Sequence, residues 1–254
     1  MKIGVIGLGL IGGSIFKCLS GLEKYNVIGV SSSVSESNVS SDYKTLKSCD
    51  VVFVCTPMSA TVDTLDKLND ILPKTTIVSD VCSLKTFLTK KKYNYKFIPS
   101  HPMAGTEHSG WNSSFAELFK GAKWVITPID GQVNDEQDVL EGIIEDLGAS
   151  AVITTPEEHD KAVVLISNLP LLVAQTLCMN IKDNKLAQVL AASGFRDTTR
   201  LALSNIQMAN DMVMINRENI NESVEMLKMS LSKLLESDYS VLAKSIKDFR
   251  ETLY

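Results

Sequence analysis

Up to about residue 155, short apolar runs alternate with stretches of helical spacing. The runs at 2–6, 26–30, 51–55, 76–80, 96–99, 123–127 and 150–154 are rich in Val and Ile. Such strands are buried on both faces, as in a parallel sheet covered by helices. Between them, 14–22, 59–71 and 136–147 carry apolar residues at helical spacing. This order predicts an α/β fold whose first domain, residues 1–155, is a Rossmann-type doubly wound sheet. Only about 20 residues join the strand ending near Val30 to the one starting at Val51, so the intervening helix is expected to be truncated. Residues 31–41, with seven serines in eleven, read as a loop.

After Pro156 the strand pattern stops. Residues 157–180, 186–191, 200–208 and 211 to the end read as helix, giving an all-helical second domain over 156–254. Near the end, Ile220, Val224, Leu227, Leu231 and Leu234 recur at 4-3-4-3 spacing. Such a stripe forms either a helical core or a two-chain seam, and a homodimer is expected.

Composition narrows the partners. Lys plus Arg is 25 against 30 for Asp plus Glu, a net charge of −5, which excludes a basic nucleic-acid footprint. Five cysteines without a CxxC pair fit reduced thiols in the cytoplasm rather than disulfides. Three scattered histidines without a Cys or carboxylate cluster predict no metal site. The apolar N-terminus is diluted by glycines and lacks a cleavage site, so no signal peptide is expected. The apolar stretch 162–174 is broken by Ser167, Asn168 and Pro170, so no membrane span is expected either.

Directly after the first strand comes Gly7-Leu8-Gly9-Leu10-Ile11-Gly12, opening a helix. This is G-x-G-x-x-G in the setting that gives the pattern meaning. Gly7 permits the turn, Gly9 admits a pyrophosphate, and Gly12 lets helix and strand approach. The backbone from Gly9 through Leu10 and Ile11 offers free N–H groups to phosphate. The second strand ends at Ser31, where an NAD-specific site usually carries a carboxylate. Ser31 neither repels a 2′-phosphate nor is followed by an Arg to attract one, so NAD is expected with NADP possible.

Two polar stretches follow strand ends: Asp80-Val81-Cys82-Ser83-Leu84-Lys85, and the loop from Ser100-His101-Pro102 to Gly110. Ligands of open α/β sheets sit beyond the carboxyl ends of strands, which places Ser83 and His101 toward a nicotinamide. An imidazole there can take the proton of an alcohol as hydride leaves, with a Ser hydroxyl orienting the ring. His108 and His159 read as ordinary structural histidines. In the helical half, Arg196 and Arg200 flank Asp197, and a guanidinium suits carboxylate recognition.

Taken in order, Gly7 to Gly12, Thr56-Pro57, Asp80 to Lys85, His101 to Gly110, Thr155 to Asp160, Ser167 to Pro170 and Phe195 to Arg200 resemble the prephenate/arogenate dehydrogenase family of tyrosine biosynthesis. His-Pro-Met-Ala-Gly-Thr-Glu-x-Ser-Gly and Gly-Phe-Arg-Asp-x-Thr-Arg are its most specific stretches. The resemblance implies oxidative decarboxylation of prephenate to 4-hydroxyphenylpyruvate and CO2, with hydride passed to NAD(P)+. It implies that His101, assisted by Ser83, bonds the C4 hydroxyl and that Arg200 binds a substrate carboxylate. Glu107 and Asp197 would position Arg200, Thr106 would line the pocket, and Thr56 would lie on the cofactor side. The helical half would form the dimer and hold substrate at the domain junction.

The chain departs from the pattern where many members carry Ser-His-Leu-Pro-His. Here Asn168 and Leu171 replace the histidines, leaving Asn168 as a donor and Leu171 with none. Arogenate is the alternative substrate. The length leaves no room for a fused mutase or ACT domain, so tyrosine feedback would act at the active site. Two other readings stand beside this one. A 3-hydroxy-acid dehydrogenase would want a lysine base in the helical half, where no such motif occurs. A non-catalytic nucleotide sensor would not need Ser83, His101 and Arg200 together.

Overall fold

The computed structural model describes residues 1–106, 108–129 and 135–253. Strands β1 (Lys2–Ile6), β2 (Asn26–Val30), β3 (Val39–Ser40), β4 (Val51–Val54), β5 (Ile77–Asp80) and β6 (Lys96–Phe97) form one parallel sheet, ordered β3-β2-β1-β4-β5-β6. All four residues of β4 are fully buried, as its unbroken Val-Val-Phe-Val run requires. Helix α1 (Leu10–Ser20) follows β1, and α2 (Met58–Leu68) follows β4. Between β2 and β4 a 3-10 turn, Tyr43–Ser48, replaces a full helix. The serine-rich loop is interrupted by β3, which extends the sheet at its edge.

The later strands leave this sheet. β7 (Ser100–Pro102), β8 (Lys123–Ile126) and β9 (Ser150–Ile153) make a second, three-stranded sheet. β7 runs antiparallel to β8, and β9 runs parallel to it. Helix α3 (Asp135–Asp146) precedes β9. His101 therefore lies within a strand, opposite Val125, where the sequence suggested a loop beyond a strand end. The Ser100 N–H donates to the Asp80 carboxylate at 3.3 Å, where the chain passes from the first sheet to the second.

Two apolar layers cover the main sheet. One joins Val5 and Phe53 to Ile15 and Leu19 of α1, Leu140 and Ile144 of α3, and Trp124 of β8. The other joins Val52 and Val54 to Leu65 and Leu68 of α2 and reaches Val163 and Met212 in the helical half. Each fully buried aliphatic or aromatic side chain contributes about 1.5–3 kcal/mol relative to exposure.

The helical half begins at α4 (Pro156–Val163), capped by Thr155 and Glu158 in a reciprocal capping box. A π-helical segment, Val164–Asn168, joins it to α5 (Leu169–Ile181). Together these make one helix, Pro156–Ile181, 26 residues long and by length and composition able to cross a membrane. The helix read over 157–180 is thus present, one residue longer at each end. Then come α6 (Lys185–Leu190), α7 (Ser193–Thr198), a 3-10 turn Arg200–Leu203, α8 (Ile206–Ile215), α9 (Arg217–Glu236) and α10 (Tyr239–Glu251). The single helix expected over 200–208 is broken, because the Asn205 side chain accepts from Met208 N and starts α8 afresh. The helix expected from 211 onward is likewise cut at Asn216 and at Ser237-Asp238, where Asp238 caps α10. In the terminal stripe, Ile220 is buried, Val224, Leu227 and Leu234 are half-buried, and Leu231 is exposed.

Candidate active site

The glycine loop has the geometry that a dinucleotide requires. Gly7 sits at φ +83°, and a side chain there would meet the Cys55 carbonyl at 2.6 Å. A Cβ on Gly12 would come within 2.1 Å of the Gly7 carbonyl, so helix and strand touch there. Gly9 faces open space, with nothing within 4 Å of where its Cβ would be. The first intrahelical bond runs from Gly13 N to Gly9 O at 2.9 Å. The N–H groups of Leu10, Ile11 and Gly12 precede it and are left for an anion at the positive end of α1. No side chain caps this helix. An open approach, free N–H groups and an uncapped helix end fit a cofactor pyrophosphate. Ser31, at the end of β2, is half-buried, and its hydroxyl accepts from Ser33 N at 3.2 Å. Thr56, after β4, holds Thr61 through a 3.0 Å hydroxyl contact.

The second cluster lies where β5, β7 and α4 meet. His101 Nδ1 and His159 Nε2 are 3.0 Å apart. His159 Nδ1 is 2.8 Å from Asp160 Oδ1. Asp160 also accepts from Lys85 N at 2.8 Å and Thr86 N at 2.9 Å. Burial would raise the Asp160 pKa, but bonds from His159 and from the Thr86 and Lys85 amides outweigh it and hold the carboxyl below its usual range. As an ionised acceptor, Asp160 receives a hydrogen bond from His159 Nδ1–H. His159 Nε2 then accepts from His101 Nδ1–H, which leaves the His101 Nε2 lone pair without a partner among the described residues. This tautomer assignment follows from the hydrogen bonds and the acceptor-only carboxylate. The His101 pKa is held well below its usual value by burial first, then by the Lys85 ammonium and by His159. A neutral imidazole with a free nitrogen is a general base.

Beneath this pair lies a buried ion pair of Lys85 and Asp80, both fully buried. Asp80 also accepts from Cys82 N at 2.8 Å, which shapes the turn that carries half-buried Ser83. Ser100 bonds the Asp80 carbonyl at 2.8 Å and accepts from Trp124 Nε1 at 2.9 Å.

The remaining expected site residues are scattered. Asn168 is fully buried in the π segment and accepts from Asn216 Nδ2 at 3.2 Å, while its own Nδ2 has no partner. Asn216 also donates to the Asp160 carbonyl at 3.2 Å, linking Asn168 to the histidine cluster. π-helical turns recur at functional positions. Thr106 is exposed and accepts from His108 N at 3.2 Å. Glu107 lies outside the described residues. Arg200 is exposed, on a turn that packs against α5. Asp197, expected beside Arg200, pairs instead with Arg196 at 3.4 Å. One turn of α7 puts neighbouring side chains within reach, whereas Arg200 lies past the helix end. Among the described residues, neither Arg200 nor Asp197 hydrogen-bonds to His101 or Ser83.

Sequence reasoning missed His159, Asp160 and Lys85 as members of one cluster. The adjacent His-Asp pair at the start of a helix was the available signal.

The chain is similar to known proteins of one family. Residues 24–163 match the family model described as prephenate dehydrogenase, nucleotide-binding domain. Residues 155–253 match prephenate dehydrogenase, dimerization domain. A prephenate dehydrogenase of Lactococcus lactis is 30% identical over 92% of this chain, which spans 70% of that protein. Among solved structures, Synechocystis arogenate dehydrogenase superposes with a TM-score of 0.87 at 31% identity, covering 100% of both chains. Prephenate dehydrogenase from A. aeolicus, solved with hydroxyphenyl propionate and NAD+, gives 0.90 at 26% identity, covering 100% of this chain and 98% of that one.

Proposed function

The chain belongs to the prephenate dehydrogenase family of NAD(P)-dependent oxidoreductases, and from that premise we propose that it converts prephenate to 4-hydroxyphenylpyruvate and CO2. The observation that carries this reading is the chain Asp160–His159–His101, which leaves one imidazole nitrogen free as a base.

NAD+, when bound on Gly7 to Gly12 with Ser31 and Thr56 nearby, supplies the hydride acceptor; NADP+ is the alternative. His101 Nε2 takes the C4 hydroxyl proton as hydride leaves C4. The charge gained by His101 is shared through His159 with Asp160. The ring carboxylate then leaves as CO2, its bond pair enters the ring, and His101 returns the proton to the phenolate oxygen. Ser83, on the turn fixed by Asp80, orients the hydroxyl. Arg200 binds a substrate carboxylate, and Thr106 lines the same pocket. Asn168 offers its unpartnered N–H to a substrate oxygen. The first part, 1–155, holds the cofactor, and 156–254 holds substrate and forms a homodimer.

Dimerisation is supported by the apolar surface of that half. Val189, Leu203, Ile206 and Leu235 are each 80% or more exposed in the single chain. In the long helix Pro156–Ile181, only 28% of the apolar 18-residue window is buried, and a second copy provides cover. Five free thiols fit a cytoplasmic setting.

Arogenate is the second reading, favoured by the likeness to the Synechocystis enzyme. The test is the absorbance of reduced nicotinamide, followed with prephenate or arogenate and NAD+ or NADP+ in all four pairings. Turnover with prephenate supports the proposal. Turnover with arogenate alone replaces it with the second reading. Cofactor binding with no turnover in any pairing would refute both.

A further inference from the structure

We propose that Lys85 is a positioning residue for His101, bracing both histidines of the pair from one point in the chain. The inference rests on His101 being the base. The Lys85 side chain is fully buried and reaches two partners. Its ammonium pairs with Asp80 and donates to the Ser100 carbonyl at 2.5 Å. That carbonyl belongs to the peptide whose nitrogen is His101's own. The ammonium therefore fixes the backbone from which the His101 ring projects. The Lys85 main-chain N–H donates to Asp160 Oδ1 at 2.8 Å, the same oxygen that receives His159 Nδ1. One residue thus ties the strand that carries His101 to the helix that carries His159, across 58 positions of sequence.

The placement also bears on charge. Among the described residues, the titratable groups set against His101 are Lys85 with its partner Asp80, on and after β5, and His159 of α4 with Asp160 behind it. A buried ammonium disfavours a second positive charge on the ring nearby. A lysine kept only for packing would not need its ammonium here. Burial of an ion pair is weak as a source of stability and is better explained by what it fixes in place.

The test compares Lys85→Met and Lys85→Arg with the wild type. Asp80→Asn/Lys85→Met removes both charges together, in case a lone buried Asp80 carboxylate prevents folding. Two properties are read. One is kcat and KM for prephenate. The other is the His101 ring by NMR, its titration and the exchange of its Nδ1 proton, with His101, His108 and His159 assigned by single substitution. The expected result is a kcat lower by about 10- to 100-fold, because small misplacements of a reacting group cost that much. KM should stay within about threefold, since substrate contacts are untouched. The His101 titration should move upward in Lys85→Met, and its Nδ1 proton should exchange faster in either Met variant. Lys85→Arg should recover most of both properties.

A folded Met variant with kcat within about threefold of wild type overturns the proposal. A fall in kcat with an unmoved His101 ring overturns it too, because Lys85 would then act elsewhere. If the wild type turns over neither prephenate nor arogenate, the activity reading fails by itself. The ring measurements alone then decide: a disturbed His101 ring upholds the brace, and an undisturbed one removes it.

Discussion

The imidazoles of His101 and His159 meet edge to face, their planes 82° apart and Nδ1 to Nε2 at 3.0 Å. His101 is half-buried, with Nε2 unbonded among the described residues, and His159 is buried and held from behind by Asp160. This order assigns different roles to two side chains of the same type.

Replacing each should therefore have a different effect. His101→Asn should lower kcat by about 100-fold or more, the scale of general acid–base catalysis, and leave cofactor affinity nearly intact. His159→Asn should lower kcat by about 10- to 100-fold, because it frees the ring it orients without removing the base. Steady-state kinetics with cofactor titration by fluorescence checks both. Equal loss of turnover and cofactor binding in His101→Asn would remove its assigned role.

The pH dependence has a definite sign. The folded pKa of His101 lies well below the unperturbed value of about 6.5, by burial first and then by Lys85. A base must be neutral, so the acid limb of kcat should fall below about pH 6.5. In the same range the unfolded chain binds the proton that the folded chain refuses. The stability from this group is thus fully present above about pH 6.5 and is lost as pH falls toward the folded value. Urea denaturation across this range, wild type against His101→Asn, should show the smaller pH slope in the variant.

Arg200 and Asn168 separate binding from chemistry. Arg200 is exposed in the single chain and makes no bond to His101. Arg200→Ala should chiefly raise KM, and a change confined to kcat would speak against carboxylate binding. Asn168→Leu removes a buried donor and takes from the Asn216 amide one of its two acceptors, leaving it the Asp160 carbonyl. Loss of one partner of a buried hydrogen bond costs about 1–3 kcal/mol. A thermal scan should show that loss, and kinetics should show a higher KM if the orphaned N–H serves substrate.

The dimer is tested on the terminal stripe. Leu231 is 52% exposed and lies on the face of α9 that carries Ile220 and Val224. Leu231→Glu places a charge in the expected seam and should turn a dimeric wild type into a monomer by light scattering. A wild type that is monomeric at every concentration would remove the homodimer.

The sequence by itself determined the elements that depend on neighbours in the chain. Val and Ile runs specified buried strands such as β4, and the spacing of Gly7, Gly9 and Gly12 specified the loop that opens α1. The short link between β2 and β4 specified a truncated helix, and a 3-10 turn is there. Ser83 was singled out because it follows β5, and His101 because of a family-like motif, although His101 stands inside β7 rather than beyond a strand end. What only the tertiary structure decided was pairing across distance. His159 looked like a structural histidine, since nothing within a few residues of it states that β7 will bring His101 to its ring. At the start of the second sheet, Asp80 and Lys85 bind the Ser100 backbone, contacts between residues 20 and 15 positions apart. Asp197 faces Arg196 and not Arg200 because the helix ends between them. Periodicity and motif record local preference, whereas a hydrogen bond between distant segments exists only after the chain has closed around it.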